Sequence, residues 1–299
     1  MYLWVMKEFP IVLSIAGSDP SGGAGIQADI KAISACGGYA AAAVTAVTVQ
    51  NTQGVSSVEY LSGDVVAAQV DAVMSDLAVD AVKIGMTGTV PIVEAIASQL
   101  EAHPVLYVVT DPVMVSTSKD ALTLPDAVEA LCDKVFPHSH LITPNIDEAS
   151  KLAGFRIRSL EDMDRAAVFL RDRYDCAFLV KGGDLPAAVT DSSTALGSAE
   201  EESEKTKGRA ALSMIVSEST DVLCDMDGLV HITSKRVLTN NLHGTGCTLS
   251  SAIATFLGAG YPLRDAVQSA VVYVHNAIEA AASLRIGHGH GPLRHFYNV

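Results

Sequence analysis

Short apolar segments alternate along most of the chain with longer segments of helical periodicity. The apolar segments are rich in valine and isoleucine, which is typical of strands buried on both faces of a sheet. Strands are predicted at residues 11–16, 44–49, 81–85, 105–113, 141–145 and 177–183. Helices are predicted at residues 26–36, 64–75, 91–100, 126–132, 147–152 and 160–173, and two more follow the sequence HGTGC. Repeated β-α-β units predict an α/β fold in which helices cover both faces of a central, mostly parallel sheet.

Five polar or glycine-rich loops follow predicted strands. They are AGSDPSGGAG (16–25), GMTG (85–88), DPVM (111–114), TPNIDE (143–148) and KGGD (181–184). Because the carboxyl ends of parallel strands meet at one edge of a sheet, and ligands bind at that edge, these loops predict a shared binding site.

Two stretches depart from the alternation. Residues 39–49, YAAAAVTAVTV, are interpreted as a helix end followed by a buried strand, since the run is too short for a membrane span of about 20 residues. Residues 186–220 are polar and include the acidic run Glu200–Glu204, which is typical of a solvated surface insertion. No internal repeat or clean boundary is visible, so residues 1–299 are interpreted as one domain with this insertion.

Composition and charge narrow the function classes. With 299 residues, of which 49% are hydrophobic, the chain has enough apolar material for a large core. A net charge of −14 argues against nucleic acid and anionic membranes as partners, since basic surfaces bind both. The five cysteines are odd in number and lack a CxxC pair, which favours free thiols in a reducing cytoplasm. The first residues lack the basic region of a signal peptide.

The sequence HGTGC at residues 243–247 directly precedes a helical segment. Gly244 and Gly246 allow a tight turn around Thr245, and the following helix offers unpaired N–H groups. Together they predict an anion hole suited to a transferring phosphoryl group, although an ordinary helix N-cap shows the same pattern. Cys247 lies in the first turn, where the helix dipole lowers a thiol pKa and a thiolate is able to accept a substrate proton. A bound triphosphate raises that pKa, so the direction of the net pKa shift is left open. The alternative to a catalytic role is that Cys247 only fills space at the turn.

Three further groups each allow two interpretations. Asp29, in AGSDPSGGAGIQAD, is either a partner of a ligand hydroxyl or a solvated helix residue, and its loop is neither a GxGxxG nor a Walker motif. Asn145 and Glu148 share one face of a helix start, where they either hold a hydrated Mg²⁺ or form a capping box. Lys181 and the two glycines after it either bind nucleotide phosphates or form an ordinary turn.

Several of these segments, taken in order, closely resemble one family: the hydroxymethylpyrimidine and phosphomethylpyrimidine kinases of thiamine biosynthesis, which are ribokinase-like. The segments are AGSDPSGGAGIQADIKA, KIGM, DPVM, LITPNIDEA, KGG and HGTGCTLS. The resemblance runs from about Pro10 to the closing GHGHGPLRHF, apart from residues 186–220. It implies a ribokinase-like three-layer α/β/α sandwich that uses ATP and Mg²⁺. It leaves open whether a monovalent cation also takes part. The implied reaction phosphorylates 4-amino-5-hydroxymethyl-2-methylpyrimidine and then its monophosphate, and the resemblance also implies a homodimer.

The resemblance also implies a role for each motif residue. The family positions that line the pyrimidine pocket correspond to Gly17, Asp29, Gln50, Met86 and Val113. The family positions that contact the nucleotide correspond to Lys181, Gly182 and Asn145. Those of the metal site correspond to Glu148 and Asp111. The anion hole is matched by Gly244, Thr245, Gly246 and Cys247, with Cys247 at the base position where ribokinase relatives usually carry aspartate.

The chemistry of the Gln50 side chain gives a separate reason to place this residue in the pyrimidine pocket. An aminopyrimidine edge presents an amino donor beside a ring-nitrogen acceptor, and a carboxamide presents the complementary pair. The alternative is a polar residue that ends a strand. Because a pyridoxal or pyridoxine kinase would share the phosphate machinery, that activity is the second hypothesis, and a catalytically weak pyrimidine sensor is the third.

Two residues depart from the family pattern. Asn240 stands where the family often has a lysine, and Leu242 where it often has a hydroxyl residue. A lost phosphate contact would weaken ATP binding, since charge-assisted hydrogen bonds contribute about 1.5–3 kcal/mol each. The basic residues Lys205, Lys207 and Arg209 are a hypothetical substitute, and the departure at Asn240 is the one feature that favours the sensor.

Overall fold

The computed structural model describes residues 7–114, 122–183, 185 and 218–298. The strands are β1 Ile11–Ser18, β2 Tyr39–Asn51, β3 Gly54–Tyr60, β4 Ala81–Ile84, β5 Tyr107–Thr110, β6 Leu141–Ile142, β7 Ala177–Val180, β8 Glu218–Asp225 and β9 Gly228–Lys235. The α-helices are α1 Gly25–Ala35, α2 Gly63–Met74, α3 Val90–Ala102, α4 Pro125–Ala130, α5 Ile146–Ala153, α6 Leu160–Tyr174, α7 Thr245–Gly258 and α8 Leu263–Ala281. A π-helical turn, Leu131–Val135, and a short 3-10 helix, Phe136–His138, continue α4.

The strands form one sheet in the order β3-β2-β1-β4-β5-β6-β7-β8-β9. Six neighbouring strands, β2-β1-β4-β5-β6-β7, are mutually parallel, while β3, β8 and β9 join through antiparallel pairings. The predicted α/β fold with a mostly parallel sheet is therefore confirmed. The loops after β1, β4, β5, β6 and β7 consequently share one edge of the sheet, as predicted.

Side chains alternate between the two faces of the sheet. Leu13 and Ile15 of β1 pack against a core cluster that includes α2 to α6, while Val12 packs on the other face against α1, α7 and α8. Each fully buried aliphatic side chain contributes about 1.5–3 kcal/mol through the hydrophobic effect. This burial holds the three layers together and packs α7 against one face of the sheet.

The structure corrects the interpretation of residues 39–49. They form no helix end, because β2 is continuous from Tyr39 to Asn51. Pairing with β1 begins at Tyr39, opposite Ile11, so the alanines lie in the parallel ladder. Tertiary pairing thus overrides the helical propensity of the alanines.

Strands β3, β8 and β9 are absent from the sequence prediction. Met226 and Asp227 form the turn between β8 and β9, and Gly228, with φ +104°, is the first residue of β9. An Asp-Gly pair flanked by alternating apolar residues is a strong hairpin signal and would have found these two strands. Residues 218–220 of the predicted insertion belong to β8, and residues 186–217 lie outside the described part of the chain.

Within the part of the chain that the structure describes, no helix combines the length and apolar character needed to cross a membrane.

Candidate active site

Gly244 fixes the turn that precedes α7. It is the N-cap residue and has φ +81°, in the left-handed region that favours glycine. A Cβ atom at this position would overlap the carbonyl oxygen of Gly23. The HGTGC turn therefore packs directly against the loop after β1. Glycine is required at position 244 because of its positive φ and because a side chain would collide with Gly23.

A cationic side chain lies close to the first turn of α7. The Thr245 hydroxyl closes the turn by donating to the Leu242 carbonyl at 2.7 Å. The backbone N–H groups of Gly246 and Cys247 donate to no protein acceptor within the described residues. A Cβ atom on Gly246 would lie 3.2 Å from Lys181 Nζ. These features combine a helix N-terminus with a lysine, which is an arrangement suited to a phosphoryl group.

Lys181 is held beside this turn by Asp111. Its Nζ lies 2.8 Å from Asp111 Oδ1, and the Thr143 hydroxyl donates to the same oxygen at 3.2 Å. Burial alone would lower the pKa of Lys181, but the Asp111 and Glu148 carboxylates raise the pKa overall. Lys181 therefore keeps its positive charge next to the turn.

Asn145 and Glu148 form a capping box at the start of α5. Asn145 Oδ1 accepts from the Glu148 N–H at 2.9 Å, and Glu148 Oε2 accepts from the Asn145 N–H at 2.8 Å. The capping alternative is therefore confirmed. Glu148 Oε1 also accepts from the Met114 N–H at 3.3 Å, which ties α5 to the loop after β5.

The two carboxylates predicted to hold the metal lie near each other. Burial raises the pKa of Glu148 to about 7, with Lys181 lowering it and Asp111 raising it further. Both groups provide hard oxygen donors and retain lone pairs beyond their protein contacts. Mg²⁺ commonly takes one or two carboxylates together with water and phosphate oxygens, so this pair fits such an ion. Among the described residues no cluster of three or more His, Cys, Asp or Glu forms a metal cage.

Three residues of the predicted pyrimidine pocket come together. A Cβ atom on Gly17 would lie 2.9 Å from Met86 Sδ, so the glycine allows a close approach of β1 to the loop after β4. Met86 is 6% exposed and packs with Ala46 and Leu122, and the partly buried Val113 packs against the same cluster. These residues form an apolar floor, and Gln50 is half-buried near the end of β2.

Asp29 lies in the interior rather than on a solvated helix face. Its carboxylate is 0% exposed, and both of its oxygens are 2.8 Å from Lys83 Nζ. Ser14 donates to Oδ2 at 2.6 Å and Ser251 donates to Oδ1 at 2.8 Å. The solvated alternative is therefore wrong, and contact between Asp29 and a ligand stays a prediction. The signal that would have found this network is the lone lysine in the otherwise apolar strand AVKIG.

Cys247 lies in the first turn of α7, one turn before Ser251. Its side chain is half-buried. Burial raises the pKa of the Cys247 thiol to about 11; Lys83 lowers it, and Asp29 and Asp111 raise it. Burial therefore outweighs the effect of the helix N-terminus, and the thiol is protonated at neutral pH.

Asp19 is a central residue that sequence reasoning missed. Its carboxylate accepts from the backbone N–H groups of Ser21, Gly23 and Ala24 at 2.8–3.2 Å and lies 2.8 Å from His243 Nε2. Burial would raise the pKa of Asp19, but hydrogen bonds from His243 and the loop lower it overall. Asp19 thus joins the loop after β1 to the HGTGC turn, and an aspartate before Pro-Ser-Gly is a turn signal that would have pointed to it.

Gly182 has a packing role in the loop after β7. A Cβ atom here would overlap the carbonyl oxygen of Thr220 in β8, and the Gly182 N–H donates to Asp221 at 2.8 Å. Its N–H is therefore engaged within the protein, and its nucleotide contact stays a prediction.

The two residues that depart from the family pattern lie at the surface. Asn240 is exposed, and Leu242 is 41% exposed. The proposed substitutes Lys205, Lys207 and Arg209 lie outside the described residues.

We expect Gly246→Ala to lower turnover at least about tenfold while changing the free energy of unfolding by less than about 1 kcal/mol. The added methyl group would lie 3.2 Å from Lys181 Nζ and 3.3 Å from Asp111 Oδ2, where it obstructs the anion hole without meeting backbone. Steady-state kinetics and urea unfolding measure the two effects. Gly258→Ala, at the opposite end of α7, is the matched control, because a Cβ atom there also lies 3.3 Å from its nearest neighbours, Asp80 and Pro10. Equal turnover in the two variants would show that Gly246 does not border the reacting group.

Comparison with known proteins identifies a family, similar relatives and similar solved structures. The family model described as phosphomethylpyrimidine kinase matches residues 19–294. A hydroxymethylpyrimidine/phosphomethylpyrimidine kinase from Rhizobium meliloti (strain 1021) is 46% identical over 288 residues, which are 96% of this chain and 97% of the relative. The crystal structure of a phosphomethylpyrimidine kinase from Clostridium difficile 630 matches with TM-score 0.70 and 35% identity, over 90% of this chain and 99% of that chain. A pyridoxal kinase from Staphylococcus aureus in complex with AMP-PCP and pyridoxal matches with TM-score 0.79 and 29% identity, over 97% and 94%.

Proposed function

Because the chain belongs to the phosphomethylpyrimidine kinase family, we propose that it phosphorylates 4-amino-5-hydroxymethyl-2-methylpyrimidine and then its monophosphate, using ATP, in thiamine biosynthesis. The fold is the ribokinase-like three-layer α/β/α sandwich. The observation that carries the proposal is the first turn of α7. In this turn, which carries Cys247, two backbone N–H groups without an acceptor among the described residues lie near Lys181.

The reaction proposed for this site is in-line transfer of the γ-phosphoryl group. In its thiolate form, which is the minor form at neutral pH, Cys247 takes the proton of the substrate hydroxyl as the hydroxyl oxygen attacks phosphorus. Lys181 and the N–H groups of Gly246 and Cys247 stabilise the oxygens of the transferring group. Asn145 and the loop after β7 contact the nucleotide. Glu148 and Asp111 would hold Mg²⁺, which when bound neutralises phosphate charge.

A second candidate function is pyridoxal phosphorylation. The matched pyridoxal kinase structure from Staphylococcus aureus favours it, because that protein shares the fold over nearly the whole chain. The ring pocket decides between the two activities, since both need the same phosphate machinery. Gln50 favours the pyrimidine, because its carboxamide complements an amino group beside a ring nitrogen. The exposed Asn240 is the one feature that favours a sensor without turnover.

A coupled assay of ADP formation with Mg²⁺ tests the proposal. It is run separately with the hydroxymethylpyrimidine, with its monophosphate and with pyridoxal. We expect turnover with both pyrimidines at a kcat/KM at least about tenfold above that for pyridoxal, since a matched hydrogen-bonding edge contributes about 1–3 kcal/mol. Turnover with pyridoxal alone would overturn the substrate assignment. Binding of the pyrimidine without turnover would favour the sensor.

The proposal also includes a cytoplasmic location and assembly of the protein as a homodimer. All five cysteines are free thiols, which suits a reducing compartment. Val47 and Val49 lie on β2 with exposures of 48% and 56%, and an exposed apolar strand face suits contact with a second copy. Sedimentation velocity of the purified protein tests the dimer.

A further inference from the structure

The carboxamide of Gln50 lies between two side chains that the proposed reaction leaves without a role. One amide position is 3.3 Å from His243 Nε2, and the other is 3.2 Å from Thr48 Oγ1. We propose that His243, oriented by Asp19, and Thr48 hold the Gln50 amide in one orientation and so make the pocket selective for an amino group beside an unprotonated ring nitrogen. The inference rests on the proposed function and adds the positioning residues that set its specificity.

Asp19 determines where the proton on His243 lies. Asp19 Oδ2 is 2.8 Å from His243 Nε2, and both side chains are buried. Hydrogen bonds from His243 and from the loop keep the pKa of Asp19 low against the effect of burial, so the carboxylate is ionised and only accepts. His243 Nε2 therefore carries a hydrogen and donates.

Thr48 determines which amide atom of Gln50 lies on the side away from His243. Its hydroxyl hydrogen goes to the Ser18 carbonyl oxygen at 2.9 Å. Because a hydroxyl has one hydrogen, the oxygen of Thr48 offers only lone pairs to Gln50. The atom of Gln50 that faces Thr48 must therefore be a donor.

These two neighbours assign the amide atoms. The nitrogen and oxygen of an amide have nearly the same shape, so their neighbours decide which is which. The nitrogen faces Thr48, because only a donor can use the lone pairs of Thr48 Oγ1 at 3.2 Å. The oxygen then faces His243 Nε2 at 3.3 Å, where it accepts the longer arm of an N–H hydrogen bond that His243 shares with Asp19 at 2.8 Å. One acceptor site on Oε1 and one N–H on Nε2 remain for a ligand edge.

A fixed amide discriminates between ring edges. The substrate hydroxymethyl group must face Cys247, so the ring enters in one orientation and presents one edge. A 4-amino ring presents a donor beside an acceptor, whereas its 4-oxo analogue presents an acceptor beside an N–H donor. An amide that cannot turn over complements only one of these two patterns, while a freely turning amide complements both.

The test measures kcat/KM for 4-amino-5-hydroxymethyl-2-methylpyrimidine and for its 4-oxo analogue. We expect the wild-type protein to favour the amino ring at least about a hundredfold, and His243→Phe to reduce this ratio to below about tenfold, because the amide then turns over. The loss for the amino ring should be mainly in KM. His243→Gln keeps an N–H donor near the imidazole Nε2 position and should retain most of the ratio.

Two further variants exclude a merely structural explanation. Thr48→Val removes the other contact of the amide and should also reduce the amino-to-oxo ratio, which keeps the test decisive if His243→Phe does not fold. Gln50→Ala removes the amide itself, so adding His243→Phe to it should change the ratio less than about twofold.

The outcomes separate this inference from the proposed function. An unchanged ratio in both His243→Phe and Thr48→Val would overturn the positioning role while leaving the kinase activity intact. Wild-type protein that turns over neither pyrimidine would instead overturn the proposed function itself.

Discussion

Replacing Cys247 with alanine is expected to lower kcat by about 10²–10⁴-fold while changing either KM by less than about threefold. The thiol lies in the first turn of α7, and the proposed reaction brings the substrate hydroxyl and the phosphoryl group to this turn. Removing a general base removes an interaction made only in the transition state, which lowers kcat more than it raises KM. Steady-state kinetics with varied pyrimidine and varied ATP measures both parameters.

The same assignment predicts a pH dependence with a definite sign. A base works only when it is deprotonated, and burial raises the pKa of Cys247 to about 11. The thiolate fraction at neutral pH is therefore about one in ten thousand, and it grows about tenfold with each pH unit. We expect kcat/KM of the wild-type protein to rise about tenfold per pH unit between about pH 7 and pH 9. The Cys247→Ala variant should lose this rise.

Cys176→Ala is the matched control for the loss of a thiol. Cys176 is also half-buried and its pKa is also raised, but it precedes β7 at the opposite end of the strands from the site. Its replacement should leave kcat and the pH profile unchanged. A Cys247→Ala variant with nearly normal kcat would remove the base role and assign the rate to positioning and electrostatics alone.

The fold and the order of the site loops follow from local patterns in the sequence. Short valine-rich strands alternating with helices predicted the parallel sheet, and the loops after its strands do share one edge. The capping box of Asn145 and Glu148 was visible at three-residue spacing because capping is a local interaction. Such features depend on residues close in sequence, so one sequence is enough to predict them.

The contacts that set the chemistry of the site were not predictable in the same way. Asp19 and His243 are 224 residues apart in sequence, and Lys83 and Asp29 are 54 apart, so no local pattern joins either pair. The direction of the Cys247 pKa shift depended on burial, which a helix N-terminus alone does not reveal. Lys83 and Asp19 each show a local signal in the sequence, but the partner of each residue becomes apparent only when the layers pack.

Replacing Lys83 with methionine is expected to lower the free energy of unfolding by about 3–5 kcal/mol. Lys83 and Asp29 are both 0% exposed, and Lys83 Nζ is 2.8 Å from both carboxylate oxygens. Without Lys83, the buried carboxylate keeps only the hydroxyl donors of Ser14 and Ser251. An ionised group that is buried without its partner is destabilising, because water no longer solvates its charge. Urea unfolding followed by circular dichroism measures the change.

Lys7→Met is the matched control for the Lys83 prediction, since it breaks the pair with Asp80 at the surface. The side chains of that pair are 42% and 23% exposed, so solvent screens the charges and the expected cost is at most about 1 kcal/mol. Adding Asp29→Asn to Lys83→Met removes the unpaired charge and should recover part of the lost stability. If Lys83→Met costs no more than Lys7→Met, water reaches the Asp29 carboxylate. The interior between α1, α7 and β4 would then be hydrated.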